Sequence, residues 1–143
     1  MKLVAHLNNF QGPIDVPVIL IAESPFSTAE EIKQAIPAEL NPIIIEEDSI
    51  PDRSYVRAFK LTEQGVEVDM NLAREVVRTR VRRGRMTKLQ ELDVQFQRAL
   101  EQGLPTEDIV AQKQALRDAP DSPAIDAAQT IEELDSVLLS LIS

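Results

Sequence analysis

Seven basic side chains stand close together in this sequence, and no other stretch concentrates so much potential chemistry. They are Arg74, Arg78, Arg80, Arg82, Arg83, Arg85 and Lys88. Only Glu75 opposes them, so the window 74–88 carries +6, although the whole chain carries −9 and the remainder therefore −15. A guanidinium group can bind a carboxylate or a phosphate through two parallel hydrogen bonds. The window consequently predicts a surface for an acidic protein partner or for nucleic acid.

Four of these arginines share one face if the window is helical. Arg74, Arg78, Arg82 and Arg85 are four, four and three residues apart, which makes them neighbours on a helix. We expect Arg78, Arg82 and Arg85 to contact carboxylates of this chain or of a protein partner. Nucleic acid is not the expected partner, because the window has no aromatic residue to stack on bases and the overall charge repels a polyanion. A nucleic-acid-binding regulator that uses the helix 74–88 is the alternative.

Other residues capable of chemistry are few. Glu46, Glu47 and Asp48 form an acidic run, which a hydrolase could use but which is more typical of a solvated strand end. His6 is the single histidine and falls in a predicted strand, where a structural role is commoner than catalysis. The four glycines are dispersed, and the motifs HExxH and GxSxG and the EF-hand loop are absent. We therefore predict no enzyme, no bound metal and no cofactor.

The composition predicts an aliphatic core. Hydrophobic residues make up 43% of the 143 positions, but aromatic residues only 3%, with no Trp and no Cys. Disulfides and thiolate metal sites are thereby excluded. The N-terminus lacks the apolar core of a signal peptide, and the longest strongly apolar run, 16–22, is far shorter than the ~20 residues that span a bilayer as a helix. No signal peptide, transmembrane segment or membrane partner is expected.

Residues 1–68 predict a small α+β domain with a mainly antiparallel sheet. Five segments have the alternating or β-branched character of strands: Lys2–Leu7, Val16–Ala22 as the central strand, Ile43–Ile45, Tyr55–Leu61 and Val66–Val68. Gly12-Pro13 is a break, and Gly65 suits the positive φ of a hairpin turn. Ser27 and Thr28 each precede a glutamate by three residues, which predicts a capping box for a short helix at 29–36.

Residues 69–143 predict a helical domain built around a long helix at 70–102. Asp69 or Asn71 caps its start, and Gly103 ends it. A second helix, 106–118, begins at Thr106 and folds back as an αα-hairpin, with Phe96, Leu100 and Leu104 meeting Ile109 and Leu116. A loop at 119–123 leads to a third helix, 130–142, with a capping box at Thr130 and Glu133. The fold class is therefore α+β.

The apolar positions of the long helix do not form one stripe across Gly84. The helix either bends at this glycine or turns its buried face from one partner to another. The last helix also presents an apolar face, with Leu134, Leu138 and Leu141 in it. A rod of about 50 Å, at ~1.5 Å per residue, is too long for one short partner helix to cover. We therefore predict a homo-oligomer, a dimer or trimer, formed through the long helix and the last helix.

Four segments of the C-terminal half resemble uncharacterised proteins encoded among the tail genes of tailed bacteriophages and prophages. The segments are REVVRTRVRRGR, LDVQFQRALEQG, IVAQKQALRDAP and PAIDAAQTIEELDSV, within the span Tyr55 to Leu139. The resemblance is carried by Leu92, Asp93, Phe96, Arg98, Ala99, Gly103, Leu116, Arg117, Asp118 and Pro120. Some of these proteins are described as tail-fibre-region or tail-assembly-chaperone-like.

The resemblance implies a non-enzymatic protein of the phage tail region. Such a protein is a minor structural component or an assembly factor that acts through protein–protein contacts, with tail-fibre or baseplate proteins as partners. The implied location is the host cytoplasm during assembly, or the virion. The partner-binding residues expected on this basis are Arg74, Arg78, Arg82, Arg85, Leu134, Leu138 and Leu141.

Overall fold

Small antiparallel sheets form the N-terminal part of this computed structural model, and helices form its C-terminal half. The predicted α+β class is confirmed. The structure describes residues 1–9 and 16–143, so the predicted break at Gly12-Pro13 lies outside the described residues. The chain divides into two compact units, Met1–Ala73 and Arg74–Ser143. The division falls within the first turn of the long helix, whereas the predicted boundary preceded that helix.

The N-terminal unit is built on a three-stranded antiparallel sheet. Strand β1 (Lys2–Leu7) lies between β2 (Val18–Ala22) and β3 (Ile43–Glu46). Leu3, Val4 and Ala5 are consecutive and all buried, so both faces of β1 are covered. The prediction of 16–22 as the central strand is wrong, since β2 lies at an edge of the sheet. Its apolar character on both faces is partly explained by strand β4 (Phe59–Leu61), which packs near β1 and β2.

A short helix and a second sheet complete the N-terminal unit. Helix α1 (Ala29–Ala35) begins with the predicted capping box, in which Thr28 Oγ1 accepts from the Glu31 N–H and Glu31 accepts from the Thr28 N–H. Strand β4 pairs with β5 (Val66–Val68) across a tight turn, and Gly65 has the predicted positive φ, +153°. Short 3₁₀ helices occupy Ala38–Leu40 and Glu47–Ser49.

The segment predicted as a strand at 55–61 is mostly a 3₁₀ helix. That helix spans Arg53–Ala58, and only Phe59–Leu61 is extended. The Asp52 carboxylate accepts from the Ser54 N–H at 2.8 Å and starts the 3₁₀ helix. Tyr55 and Ala58 are both fully buried and stand three residues apart. Tyr55 has non-helical φ and ψ (−102° and 21°) and joins two short 3₁₀ turns, so a kinked segment brings both side chains to the core without a strand.

The long helix α2 (Met70–Glu101) is continuous through Gly84. Its first turn is capped by the Asp69 carboxylate, which accepts from the N–H groups of Asn71 and Leu72 at 2.9 and 3.3 Å. At its end, Gly103 has φ +66°, and the Leu104 N–H donates to the Ala99 carbonyl at 2.8 Å. The Gly103 N–H donates to the Leu100 carbonyl at 3.1 Å. These two bonds form a Schellman motif.

Helix α3 (Glu107–Asp118) folds back antiparallel to α2, as predicted. Lys113 Nζ lies 2.5 Å from Asp93 Oδ1, and Arg85 Nη1 lies 3.1 Å from the Leu116 carbonyl oxygen. Thr106 occupies the N-cap position of α3, but its side chain makes no capping hydrogen bond, so the predicted cap is wrong in that respect.

The second half of α2 buries only some of the apolar residues predicted to lie on its inner face. Leu100 and Leu104 are each 53% exposed, whereas Leu92 and Ala99 are buried. The prediction of Leu100 and Leu104 in the hairpin seam is therefore wrong. Leu92 and Ala99 are seven residues apart, or about two turns, and therefore lie on one side of the helix. Leu100, one residue further on, is rotated by about 100° from Ala99 and lies outside that face.

Two helices follow the hairpin. Helix α4 (Pro123–Ala127) comes after a 3₁₀ turn at Ala119–Asp121 and was not predicted. Helix α5 (Ile131–Ile142) has Thr130 as its N-cap, with Thr130 Oγ1 accepting from the Glu133 N–H at 3.2 Å. The predicted capping box is only half present. The Glu133 carboxylate accepts from the Gln129 N–H, at 2.7 Å, one residue before the cap.

The two halves of α2 contact different parts of the chain. In the first half, Arg80 lies 4.0 Å from Asp135 of α5, and Gly84 lies against Ile142 at the end of α5. In the second half, the contacts of Arg85 and Asp93 are with α3. Helix α5 thus runs parallel to α2 and α3 antiparallel to it. The apolar residues of α2 form two separate stripes because the helix that packs against α2 changes at Gly84.

The position of the seam can be tested by two neighbouring substitutions. Ala99→Asp should lower the free energy of unfolding by roughly 2–4 kcal/mol, because it buries an unpaired charge. Leu100→Asp should lower it by less than about 1 kcal/mol, because Leu100 is half-exposed. Urea denaturation of both variants gives the comparison. Equal losses would show that the seam has been placed on the wrong face.

Close packing at Gly84 gives a second prediction. A Cβ added there would lie 3.1 Å from Ile142 Cγ2, which is tighter than most such contacts. Alanine stabilises a helix by about 1 kcal/mol relative to glycine, but in this protein its methyl group presses on Ile142. We expect Gly84→Ala to stabilise an Ile142→Ala background by at least about 0.5 kcal/mol more than the wild type. Urea denaturation of the four proteins measures this coupling, and additive effects would contradict the contact.

Candidate functional site

Two of the four predicted arginines contact the segment around α4. Arg74 Nη2 donates to the Ala128 carbonyl at 2.8 Å. The Arg78 guanidinium lies between two carboxylates, with Nη1 2.5 Å from Glu75 and Nη2 2.5 Å from Asp126. The hydrogen bond to Asp126 is the main cause of the raised pKa of Arg78, and burial opposes it. The side chain of Arg78 is only 17% exposed, so this guanidinium is mainly part of the helical unit's own structure.

Arg85 makes a different kind of contact, at the end of α3. Its Nη1 donates to the carbonyl oxygens of Leu116 and Arg117 at 3.1 and 2.5 Å. The last carbonyls of a helix lack intrahelical partners and carry the negative end of the helix dipole. Arg85 therefore caps α3 from outside. Within the described residues Arg85 binds backbone carbonyls and pairs with no carboxylate, so its predicted contact with a carboxylate of a partner stays a prediction, whereas the expectation for Arg78 is confirmed by Glu75 and Asp126.

Arg82 and Arg83 remain on the surface. Both are exposed, and no carboxylate within residues 1–9 and 16–143 pairs with either of them. Met86, which is 58% exposed, is one turn further along α2. Whether Arg82 contacts a carboxylate of a partner stays a prediction. The basic window is thus divided into an inward-facing set and an exposed pair.

Most of the predicted apolar face of α5 is covered by the rest of the chain. Leu134 is fully buried, which removes it from any surface open to a partner. Leu138 and Leu141 are half-buried. Leu139, which was not among the predicted residues, is 64% exposed and is the most exposed large apolar side chain of α5.

An apolar patch that was not predicted lies at the loop end of the hairpin. Leu100, Leu104 and Val110 are exposed to 53, 53 and 48%. Lys113 Nζ stands 5.1 Å from the centre of the Phe96 ring, which fixes one flank of the hairpin. Leu100 follows Phe96 by four residues and Val110 precedes Lys113 by three, so both lie on that flank, one turn nearer the loop. We refer to Leu100, Leu104 and Val110 as the hairpin patch.

The N-terminal unit contains a cleft of about 1100 Å³. It is bordered by α1, by the start of β3 and by the end of β4. Most of its apolar lining comes from Leu7, Ile36, Ile43, Ile44 and Leu61, and its polar lining includes Glu30, Lys33 and Glu63. Two carboxylates and an ammonium group in a cleft lined mainly by aliphatic residues do not provide a nucleophile–base pair.

The acidic run and the histidine are not brought together. Glu47 pairs with Arg53 at 3.3 Å, and Glu46 lies 4.0 Å from the N-terminal amino group. The His6 ring Nδ1 lies 2.8 Å from the carbonyl oxygen of Leu7. Among the described residues, no three His, Asp or Glu side chains are grouped in a way that could hold a metal ion.

Comparison with protein-family models, curated proteins and solved structures found no match to this chain. No helix in the described ranges is long and apolar enough to cross a membrane. The candidate site is accordingly defined by this chain's own surfaces, which are the hairpin patch and the exposed pair Arg82 and Arg83.

The division of the arginines predicts different effects on stability. Arg85→Ala should lower the free energy of unfolding by roughly 1–3 kcal/mol, because a charged donor to two helix-end carbonyls is lost. Arg82→Ala is the matched control on the same helix and should change it by less than about 0.5 kcal/mol. Thermal and urea unfolding test the pair. A loss for Arg82→Ala as large as for Arg85→Ala would contradict the assignment.

Proposed function

We propose that this protein acts by binding other proteins, as a minor structural component or an assembly factor of a bacteriophage tail. The observation that carries the proposal is the hairpin patch, which lies within the region that resembles tail-gene products. Three of the residues that carry this resemblance, Phe96, Ala99 and Gly103, lie in the same part of the hairpin. The proposed location is the host cytoplasm during assembly, or the virion.

The hairpin patch has the chemical character of a protein-binding surface. Three aliphatic side chains are about half-exposed, and contiguous exposed apolar residues are typical of contact sites. Charged residues border them, with Asp93 paired to Lys113 on one side and Glu107 and Asp108 in the first turn of α3. An apolar centre with a polar rim is the usual anatomy of a protein–protein interface.

The backbone holds the hairpin patch in place before any partner binds. Leu104 is the residue whose N–H closes the Schellman motif on Ala99, so its position follows from the end of α2. Leu100 and Val110 are within helices. A patch that is already ordered loses less conformational entropy on binding than a flexible one.

The proposed partners are tail-fibre or baseplate proteins, together with a second or third copy of this chain. The contacts of Arg74, Arg78 and Arg85 within the chain support a protein-binding role over a nucleic-acid-binding one, because they engage three of the four arginines of the predicted basic face. The exposed pair Arg82 and Arg83 favours, as an alternative, a regulator that binds nucleic acid with helix 74–88.

A pull-down with purified tail-fibre and baseplate proteins tests the leading proposal. Replacing Leu104 and Val110 together by serine should weaken the association at least tenfold, because the apolar centre is lost. Leu139→Ser, which changes another exposed leucine of the helical unit, should leave it unchanged. Circular dichroism should show that all three proteins keep the same helix content and melting temperature.

Two results would count against the proposal. One is the absence of association with any tail-fibre or baseplate protein, together with absence from purified particles. The other is tight binding of DNA or RNA in a filter-binding assay at near-physiological salt, with a steep salt dependence that Arg82→Ala and Arg83→Ala abolish. The second result would favour the nucleic-acid-binding regulator over the phage tail protein.

A further inference from the structure

Phe26 is exposed to a degree that needs a physical explanation. Its side chain is 93% exposed, the highest value for a large apolar residue in the described ranges. It occupies the second position of a two-residue turn between Ser24 and Ser27. The N–H of Ser24 donates to the Ser27 carbonyl at 3.0 Å, and the Ser27 N–H donates to the Ser24 carbonyl at 3.2 Å. Aromatic side chains in such positions are common anchors of protein interfaces.

Hydrogen bonds hold the backbone before and after Phe26. The Phe26 N–H donates to Ser24 Oγ at 3.2 Å, and the capping box of α1 begins two residues later at Thr28. Phe26 is consequently presented to solvent in a defined direction by a backbone that is already hydrogen-bonded. Its binding to a partner would require little ordering of the chain.

The surroundings of Phe26 are acidic. Glu23, Glu30 and Glu31 flank it in sequence, and Lys2 is the basic residue that contacts two of them, at 3.1 Å through its backbone N–H and at 4.0 Å through its Nζ. The N-terminal unit contains five basic and twelve acidic side chains, which gives it a charge of −7. A partner for this turn should therefore be basic around an apolar centre.

The exposed part of helix α2 has that complementary character. Met86 is 58% exposed, and Arg82 and Arg83 precede it by four and three residues. Residues at these separations are adjacent on a helix surface, so the two guanidinium groups flank the methionine side chain. A thioether makes favourable contacts with an aromatic ring.

We infer that the Phe26 turn of one copy of this protein binds the Arg82–Arg83–Met86 surface of a second copy. Phe26 contacts Met86 at the centre, and Glu23 and Glu30 face the two arginines. The charge complementarity favours a second copy as the partner, since every copy carries both the acidic Phe26 turn and the basic Arg82–Arg83–Met86 surface. Each copy offers one turn and one helix surface, so a two-fold dimer or a closed ring of copies satisfies every contact. This inference does not depend on the proposed function.

Sedimentation over a range of concentrations tests the inference on the full chain. The wild type should self-associate, and association should weaken as salt is raised, because exposed charges are screened. Phe26→Ser, and separately Arg82→Glu with Arg83→Glu, should each weaken self-association at least tenfold. Arg98→Glu, an exposed arginine on the same helix, and Leu139→Ser are the controls and should not weaken it. All of these residues are exposed, so melting temperatures should change little.

A charge exchange identifies the two faces directly. The variant with Glu23→Lys and Glu30→Lys should fail to self-associate, as should the variant with Arg82→Glu and Arg83→Glu. Mixing the two should restore a complex. A wild type that remains monomeric at the highest concentration, or self-association that Phe26→Ser leaves unchanged, would overturn the inference. So would a mixture of the two variants that forms no complex.

Discussion

The helical unit depends on how one long helix, α2, is covered along its whole length. No single short helix can cover 32 residues, so α5 packs beside the first half and α3 beside the second. The helix that covers α2 changes from α5 to α3 at Gly84, where the absence of a side chain lets Ile142 approach closely. The glycine that weakens the helix in isolation thus permits the packing that stabilises it. Its structural role is the approach of a neighbour, because α2 continues through it without interruption.

The inward-facing arginines follow from the same arrangement. After α3 the chain must return to the start of α2 before α5 can run along it, and α4 makes this return. Arg74 and Arg78 hold the returning segment at Ala128 and Asp126, while Arg85 holds the end of α3. A basic helix within an acidic chain is therefore first an internal framework. What remains outside, Arg82 and Arg83, is the part of the basic window that is exposed on the surface.

Sequence alone could predict those features that are set by local hydrogen bonding. Asp69 at the start of α2, Gly103 at its end and the Thr28–Glu31 capping box all involve residues within five positions of one another. The errors arose where the same pattern fits two geometries. The spacing of Tyr55 and Ala58 fits a 3₁₀ helix, yet β-branched and aromatic residues nearby favoured a strand. Ser122 and Pro123 start α4, with Ser122 Oγ accepting from the Ala124 N–H, but Ser-Pro also marks a turn.

The candidate site was harder to predict, because periodicity shows which residues share a face and not what covers that face. Four arginines share one side of α2, but three contact the chain itself. The leucines assigned to the seam are instead exposed, whereas Ala99, a smaller residue on the neighbouring face, is buried. Exposure of Phe26 depends on a turn whose bonds join only Ser24 and Ser27, and nothing in its sequence distinguishes a covered aromatic from an exposed one. Both apolar features are held by backbone hydrogen bonds, the hairpin patch beside the Schellman motif that ends α2 and Phe26 within the Ser24–Ser27 turn.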